Sequence, residues 1–279
     1  MISNDPATRS LWSAVRAEAV AVTYANGTRA LHHTSLEFAR GEFTVLLGSS
    51  GAGKSTLLRT LNGLVRPSAG RVLAAGLGDI LQPGVLRQHR RSTGMVFQQH
   101  HLIGRLSVLD NVLMGRLGHH RALATLLPWS RSEKTLALSA IERVGLIAHA
   151  LQRADQLSGG QQQRGGVARA LLQAPTMLLA DEPVASLDPA TAEKLLALMH
   201  GICKGDGLTA VVSLHQVDFA RKFADRIIGL ASGQVLFDGT PDQLTSDIVE
   251  RLYHTPHTAP QAGSLGAVPP QFQTEGLLT

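Results

Sequence analysis

The chain has 279 residues, 44% of them hydrophobic, with a formal net charge of +5. That composition excludes a globally disordered chain, and no uninterrupted apolar run approaches the ~18 residues a membrane span needs. The single cysteine, Cys203, excludes a disulfide framework and a cysteine-based metal site, and the modest basic excess suits solvated arginines as well as any anionic partner.

Met1 to Arg16 lacks the apolar core of a secretory signal, so the chain is expected to stay in the cytoplasm. Residues 1–15 read as a polar, loose arm ahead of one domain over 16–255. Ala17 to Tyr24 alternates like a strand, Asn26-Gly27 is a hairpin turn signal, and Leu31 to Phe38 reads as a second strand. The pair would form a small antiparallel layer. Tyr24, at the end of the first strand, reads equally as a half-buried strand residue or as a ring that stacks on a purine.

Phe43 to Leu47 is a short apolar run of the kind buried in a parallel sheet. It leads into Gly48-Ser49-Ser50-Gly51-Ala52-Gly53-Lys54-Ser55 and then into a helical pattern from Thr56 to Leu61. Strand, glycine-rich loop and helix N-terminus form the context of a phosphate-binding loop. Glycines at 48, 51 and 53 let successive N–H groups point at one anion, and the helix adds unpaired donors and its positive end. Lys54 can reach the outer phosphates, and the Ser55 hydroxyl can ligate Mg²⁺. The chain is therefore expected to bind a nucleoside triphosphate.

Beyond the loop helix come a turn at Arg66 to Gly70, a strand at Arg71 to Ala74, a basic segment at Arg87 to Arg91, and a core strand at Thr93 to Phe97 that ends at Gln98. Ser107 to Asp110 has capping-box form and opens a helix through Met114. Residues 131–144 make an amphipathic helix, so the interval of about 99–165 reads as an all-helical insert in an α/β sheet. The α/β alternation resumes with strands at 176–180, 208–213 and 226–231 and helices at 189–204 and 216–224. Ser232-Gly233-Gln234 signals a hairpin, a last helix runs near 242–253, and 256–279 reads as a disordered tail. Cys203 falls in an apolar helical pattern and reads as a buried structural thiol. The histidine pairs 32–33, 100–101 and 119–120 read as surface or loop residues, because adjacent helical residues do not share a face.

Six short motifs in order carry a family resemblance. Leu157-Ser158-Gly159-Gly160-Gln161 resembles the signature of ATP-binding-cassette (ABC) ATPases, and Met177 to Glu182 their apolar strand ending in two acids. Phe97-Gln98, Ser186-Leu187-Asp188 and Leu214-His215 resemble the family's glutamine loop, D-loop and switch histidine, beside the phosphate loop itself. The resemblance spans residues 17–253 and implies an α/β P-loop nucleotide-binding domain with an inserted helical subdomain and a small antiparallel β layer. It implies that Asp181 holds Mg²⁺ with Ser55 and Gln98, that Glu182 activates the attacking water, and that His215 and Gln98 sense the γ-phosphate. It also implies that Tyr24 stacks on adenine. Ser158, Gly160, Gln161 and Asp188 would belong to a head-to-tail homodimer, each signature closing over the partner's ATP.

Wordings such as Ala180-Asp181-Glu182-Pro183-Val184-Ala185-Ser186-Leu187-Asp188-Pro189 and Ser213-Leu214-His215-Gln216-Val217-Asp218 are similar to the ATPase subunits of phosphonate importers. The resemblance then implies a peripheral subunit on the cytoplasmic face of the inner membrane, driving a permease fed by a solute-binding protein, with no nucleic-acid partner. Other cargoes (phosphate, phosphite or an amino acid), a soluble cassette ATPase and a non-catalytic nucleotide sensor remain open. One departure stands out: Gly165-Gly166 falls where the signature helix usually carries bulkier residues, and each interior glycine costs a helix about 1 kcal/mol against alanine.

Overall fold

The computed structural model describes residues 13–98, 101–120 and 128–254. Residues 256–279, read above as a tail, and residues 1–12 lie outside the described residues, as does His100. Strand β1 runs Ser13–Thr23 and pairs with β2, Arg29–Ala39, across the predicted turn. It begins inside the segment read as an arm, because Val15 and Ala17 are buried and the Ser13 hydroxyl bonds to Val15 O. With β4, Ala69–Ala74, and β5, Gly78–Asp79, these strands make a four-stranded antiparallel sheet ordered β2-β1-β4-β5. The expected layer is thus larger than two strands.

The second sheet carries the site. Its strands are β3 (Phe43–Leu47), β6 (Thr93–Val96), β7 (Met177–Ala180), β8 (Thr209–Leu214), β9 (Arg226–Ala231) and β10 (Gln234–Gly239). Their order is β10-β9-β3-β8-β7-β6, parallel throughout except for the β9–β10 hairpin. All residues of β3, β6, β7 and β8 are buried, which is why these strands read as mostly apolar runs rather than alternating ones.

Helix α1, Lys54–Leu61, follows β3, and α2, Val85–Arg91, precedes β6. Helices α3 (Val108–Leu113), α4 (Arg131–Arg143) and α5 (Gly159–Leu171) form the insert together with a 3-10 turn at Met114–His119. Ser107 and Ser130 accept the N–H groups of Asp110 and Glu133 at their helix starts, the capping arrangement that the sequence signals at 107. The signature helix α5 runs unbroken through Gly165-Gly166, both buried. A Cβ at Gly165 would stand 3.1 Å from Leu102 Cδ1, so the missing side chain is filled by a neighbour from the insert rather than by solvent. Helix α5 continues past the insert to flank β6, and a Cβ at Gly94 of that strand would meet Ala170 O at 3.1 Å.

Helices α6 (Pro189–Asp206) and α7 (Val217–Phe223) cover the parallel sheet. Cys203 is buried on α6, and burial pushes its thiol up to about 12. The last predicted helix divides into a 3-10 turn at Pro241–Gln243, capped by Thr240, and α8 at Ser246–His254. Among the described residues no helix is long and apolar enough to cross a membrane.

A candidate nucleotide-hydrolysis site at the sheet's C-terminal edge

Strand register assembles the site. Leu47 pairs with Leu214, which sets Gly48 beside His215. Ala180 pairs with Val212 on one side and with Val96 on the other, which sets Asp181 between Ser213 and Phe97. All of these positions follow the C-terminal ends of parallel strands, where α/β sheets bind ligands.

The loop after β3 folds as its glycines require. Gly48, Gly51 and Gly53 have φ of 149°, 78° and 104°, and a Cβ at Gly48 would stand 2.1 Å from Leu230 O. Gly53 is the N-cap of α1 and no side chain caps that helix, so the loop's backbone is left to serve an anion. The Ala52 methyl packs into the core, which leaves only its backbone for the cradle. Lys54, 3% exposed, donates to Gly48 O at 2.7 Å and Ser49 O at 2.9 Å. Burial depresses the pKa of its ammonium, opposed by the charges of Glu182 and Asp181.

Opposite the loop, the Ser55 hydroxyl donates to Asp181 Oδ1 at 2.6 Å, and Arg59 from the same helix reaches Asp181 Oδ2 at 3.5 Å. A hydroxyl and a carboxylate in contact form a hard-oxygen pair that suits Mg²⁺. Glu182 Oε1 lies 2.6 Å from His215 Nε2 and 3.9 Å from Lys54 Nζ. His215 Nδ1 sits 3.3 Å from Lys54 Nζ, so an imidazole protonated on Nε2 donates to Glu182 and accepts from Lys54 at once.

Glu182 sits at φ 47°, a left-handed conformation that costs a side-chain-bearing residue about 1–3 kcal/mol. Ser213, fully buried, holds it there: its hydroxyl accepts the Glu182 N–H at 2.8 Å and donates to Asp181 Oδ1 at 3.1 Å. Sequence reasoning quoted Ser213 inside a motif without giving it a role; its signal was a hydroxyl between Val212 and Leu214 near the end of a buried strand. Ser213→Ala should destabilise the fold by about 1–3 kcal/mol in denaturant titration, because it removes the acceptor of the Glu182 N–H and the buried donor to Asp181. An unchanged unfolding midpoint would remove Ser213 from the site.

Tyr24, 39% exposed, hydrogen-bonds Thr56 Oγ1 at 3.1 Å, so an open aromatic face stands beside the phosphate-loop helix. Gln98 lies exposed one residue beyond Phe97, at the root of the insert. The signature residues form a separate group. Ser158 caps α5 by accepting the Gln161 N–H at 3.3 Å, and Gln161 Oε1 accepts the Ser158 N–H at 2.8 Å. A Cβ at Gly160 would stand 2.7 Å from Thr191 Cγ2, so the start of α5 abuts the start of α6, where Asp188 caps Thr191 N–H at 3.0 Å. The Thr191 hydroxyl and N–H hold the Asp188 carboxyl below its usual pKa. Ser158 and Asp188 are both exposed and share one edge of the molecule.

This loop, Asp-Glu strand end and histidine define a P-loop nucleoside triphosphatase site. A family model described as ABC transporter matches residues 31–185. The chain is 63% identical over 235 residues to the phosphonates import ATP-binding protein PhnC 2 of Cupriavidus metallidurans, covering 84% of each chain. It is 55% identical to the phosphite import ATP-binding protein PxtA of Stutzerimonas stutzeri, covering 92% of each. A solved dimeric ATP-binding cassette in a post-hydrolysis state with ADP and Pi superposes at a TM-score of 0.72 and 36% identity, covering 81% of this chain and 98% of that one. The chain belongs to the ABC transporter family.

Proposed function

We propose that this chain is the ATP-hydrolysing subunit of a membrane importer, with phosphonate as the cargo. The register that gathers Lys54, Asp181, Glu182 and His215 at one sheet edge carries the ATPase reading. The 63% identical phosphonate-import relative supports the cargo.

In this reading the N–H groups of Ser49, Ser50, Gly51, Ala52 and Gly53, with Lys54, Ser55 and Thr56, cradle the phosphates. Tyr24 stacks on the adenine. Ser55 and Asp181, with Gln98, would hold Mg²⁺, which when bound neutralises charge on the phosphate oxygens. Glu182 accepts a proton from the attacking water. His215 keeps Glu182 oriented beside the γ-phosphate.

Ser158, Gly160, Gln161 and Asp188 serve the ATP of a second copy, because the exposed Ser158 and Asp188 cap helices separate from the phosphate loop. Closure of that dimer drives a permease, and a solute-binding protein delivers the cargo from the far side. The ATPase subunit therefore works peripherally at the cytoplasmic face of the inner membrane. A cleft of 640 Å³ between the two subdomains, with Leu64, Phe97 and Met114 on its walls, accommodates the permease contact beside Gln98.

Phosphite is the second reading, favoured by the 55% identical phosphite-import relative. Reconstitution with permease and solute-binding protein tests both. Phosphonate should stimulate ATP turnover severalfold, whereas stimulation by phosphite alone would reassign the cargo.

A further inference from the structure

Helix α8 lies outside the 31–185 stretch that matches the family model, yet it reaches the site. Leu252 on α8 is 1% exposed and packs against Gly229 of β9, where an added Cβ would stand 2.7 Å from Leu252 Cδ1. Gly229 pairs in register with Leu47, the residue before the phosphate loop, so this close fit seats α8 over the end of β3. The next residue, Tyr253, donates its hydroxyl to the backbone carbonyl of His215 at 2.5 Å. Burial pushes the Tyr253 phenol up to about 12, opposed by the nearby Gly48 N–H, so the hydroxyl keeps its proton at working pH.

Among the described residues His215 has no helix cap or strand partner to set its backbone. It follows the last residue of β8 and precedes Gln216, which caps α7 without a side-chain hydrogen bond. Its imidazole nevertheless meets Glu182 at 2.6 Å and stands 3.3 Å from both Gly48 O and Lys54 Nζ. We propose that Tyr253 is a positioning residue for hydrolysis, its hydroxyl clamping the His215 backbone so that Nε2 stays on Glu182. The same hydroxyl stands beside the Gly48 N–H, so the clamp ties His215 to the first residue of the phosphate loop. This inference rests on the ATPase reading for its kinetic consequence and on the geometry alone for its structural one.

Tyr253→Phe keeps the ring that packs against the core and removes only the donor. Turnover should fall about tenfold, as a mispositioned catalytic group implies, while ATP affinity stays within about twofold and the unfolding midpoint is held. The imidazole ¹⁵N resonances of His215 in nucleotide-free protein should shift in the same variant. Unchanged turnover together with unchanged His215 resonances would overturn the clamp. A parallel loss of affinity and stability without a resonance shift would also overturn it, leaving a packing role only. Wild-type protein that hydrolyses no ATP would sink the ATPase reading, and the His215 resonances would still decide the clamp.

Discussion

Glu182→Gln protein is expected to bind Mg-ATP with near wild-type affinity and to hydrolyse it at least about a hundredfold more slowly, since a positioned general base contributes roughly 10²–10⁴ in rate. Glutamine retains the oxygen that accepts from His215 Nε2 at 2.6 Å and removes the negative charge that sits 3.9 Å from Lys54 Nζ. The geometry of the site is therefore kept while its base is lost. Single-turnover hydrolysis measures the rate, and light scattering with Mg-ATP measures the closed dimer that slow hydrolysis accumulates. Mutation of Ser158 in the same background should abolish that dimer, because the proposed dimer sets the exposed cap of α5 against the second copy's ATP. Wild-type hydrolysis rates in the Gln variant would remove Glu182 from its role. A monomer that still binds ATP would mean that closure needs the permease.

Lys54→Met should weaken ATP binding about a hundredfold, the loss of roughly 3 kcal/mol expected for a charge-assisted contact to phosphate. The nucleotide-free fold should lose little. Burial lowers the Lys54 pKa below its ordinary 10.5, so the folded state holds this proton less tightly than the unfolded chain does. Below the lowered pKa the full cost of a buried cation is present, and it lessens as pH rises toward the unfolded value. Methionine removes that cost and keeps the stem, at the expense of the bonds to Gly48 and Ser49. Thermal unfolding with and without ATP checks both halves: the midpoint without ligand should hold or rise, and the rise caused by ATP should vanish. An ATP-induced shift equal to that of wild type would overturn the assignment of Lys54 to the phosphates.

Much of this molecule was legible in the chain. Buried parallel strands announced themselves as apolar runs, as at Met177 to Ala180, since a sheet covered on both faces has no polar side to show. The phosphate loop was legible because only glycine accepts φ of 78° and 104° without penalty, so Gly51 and Gly53 mark their own conformation. Acids at a strand end and caps at helix starts are likewise local, each depending on residues within a few positions. The fourth strand of the antiparallel sheet, Gly78–Asp79, was not legible, because two residues that only complete an edge carry no periodicity.

Long-range contacts lay beyond the sequence for the same reason. Ser213 supports Glu182 across 31 positions of chain, Arg59 meets Asp181 across 122, and Tyr253 meets His215 across 38. None of these pairs leaves a pattern in its own neighbourhood. The fit of Leu102 against Gly165 belongs with them: by itself the glycine pair read as a weak point in the signature helix, and only packing turned it into a contact. The sequence by itself determined the elements and the glycine-rich loop, because these follow from backbone freedom and local hydrogen bonding, and its motifs named the candidate groups of the site. The tertiary structure decided which side chains hold those groups in place, because strand register and helix seating bring together residues that the chain keeps far apart.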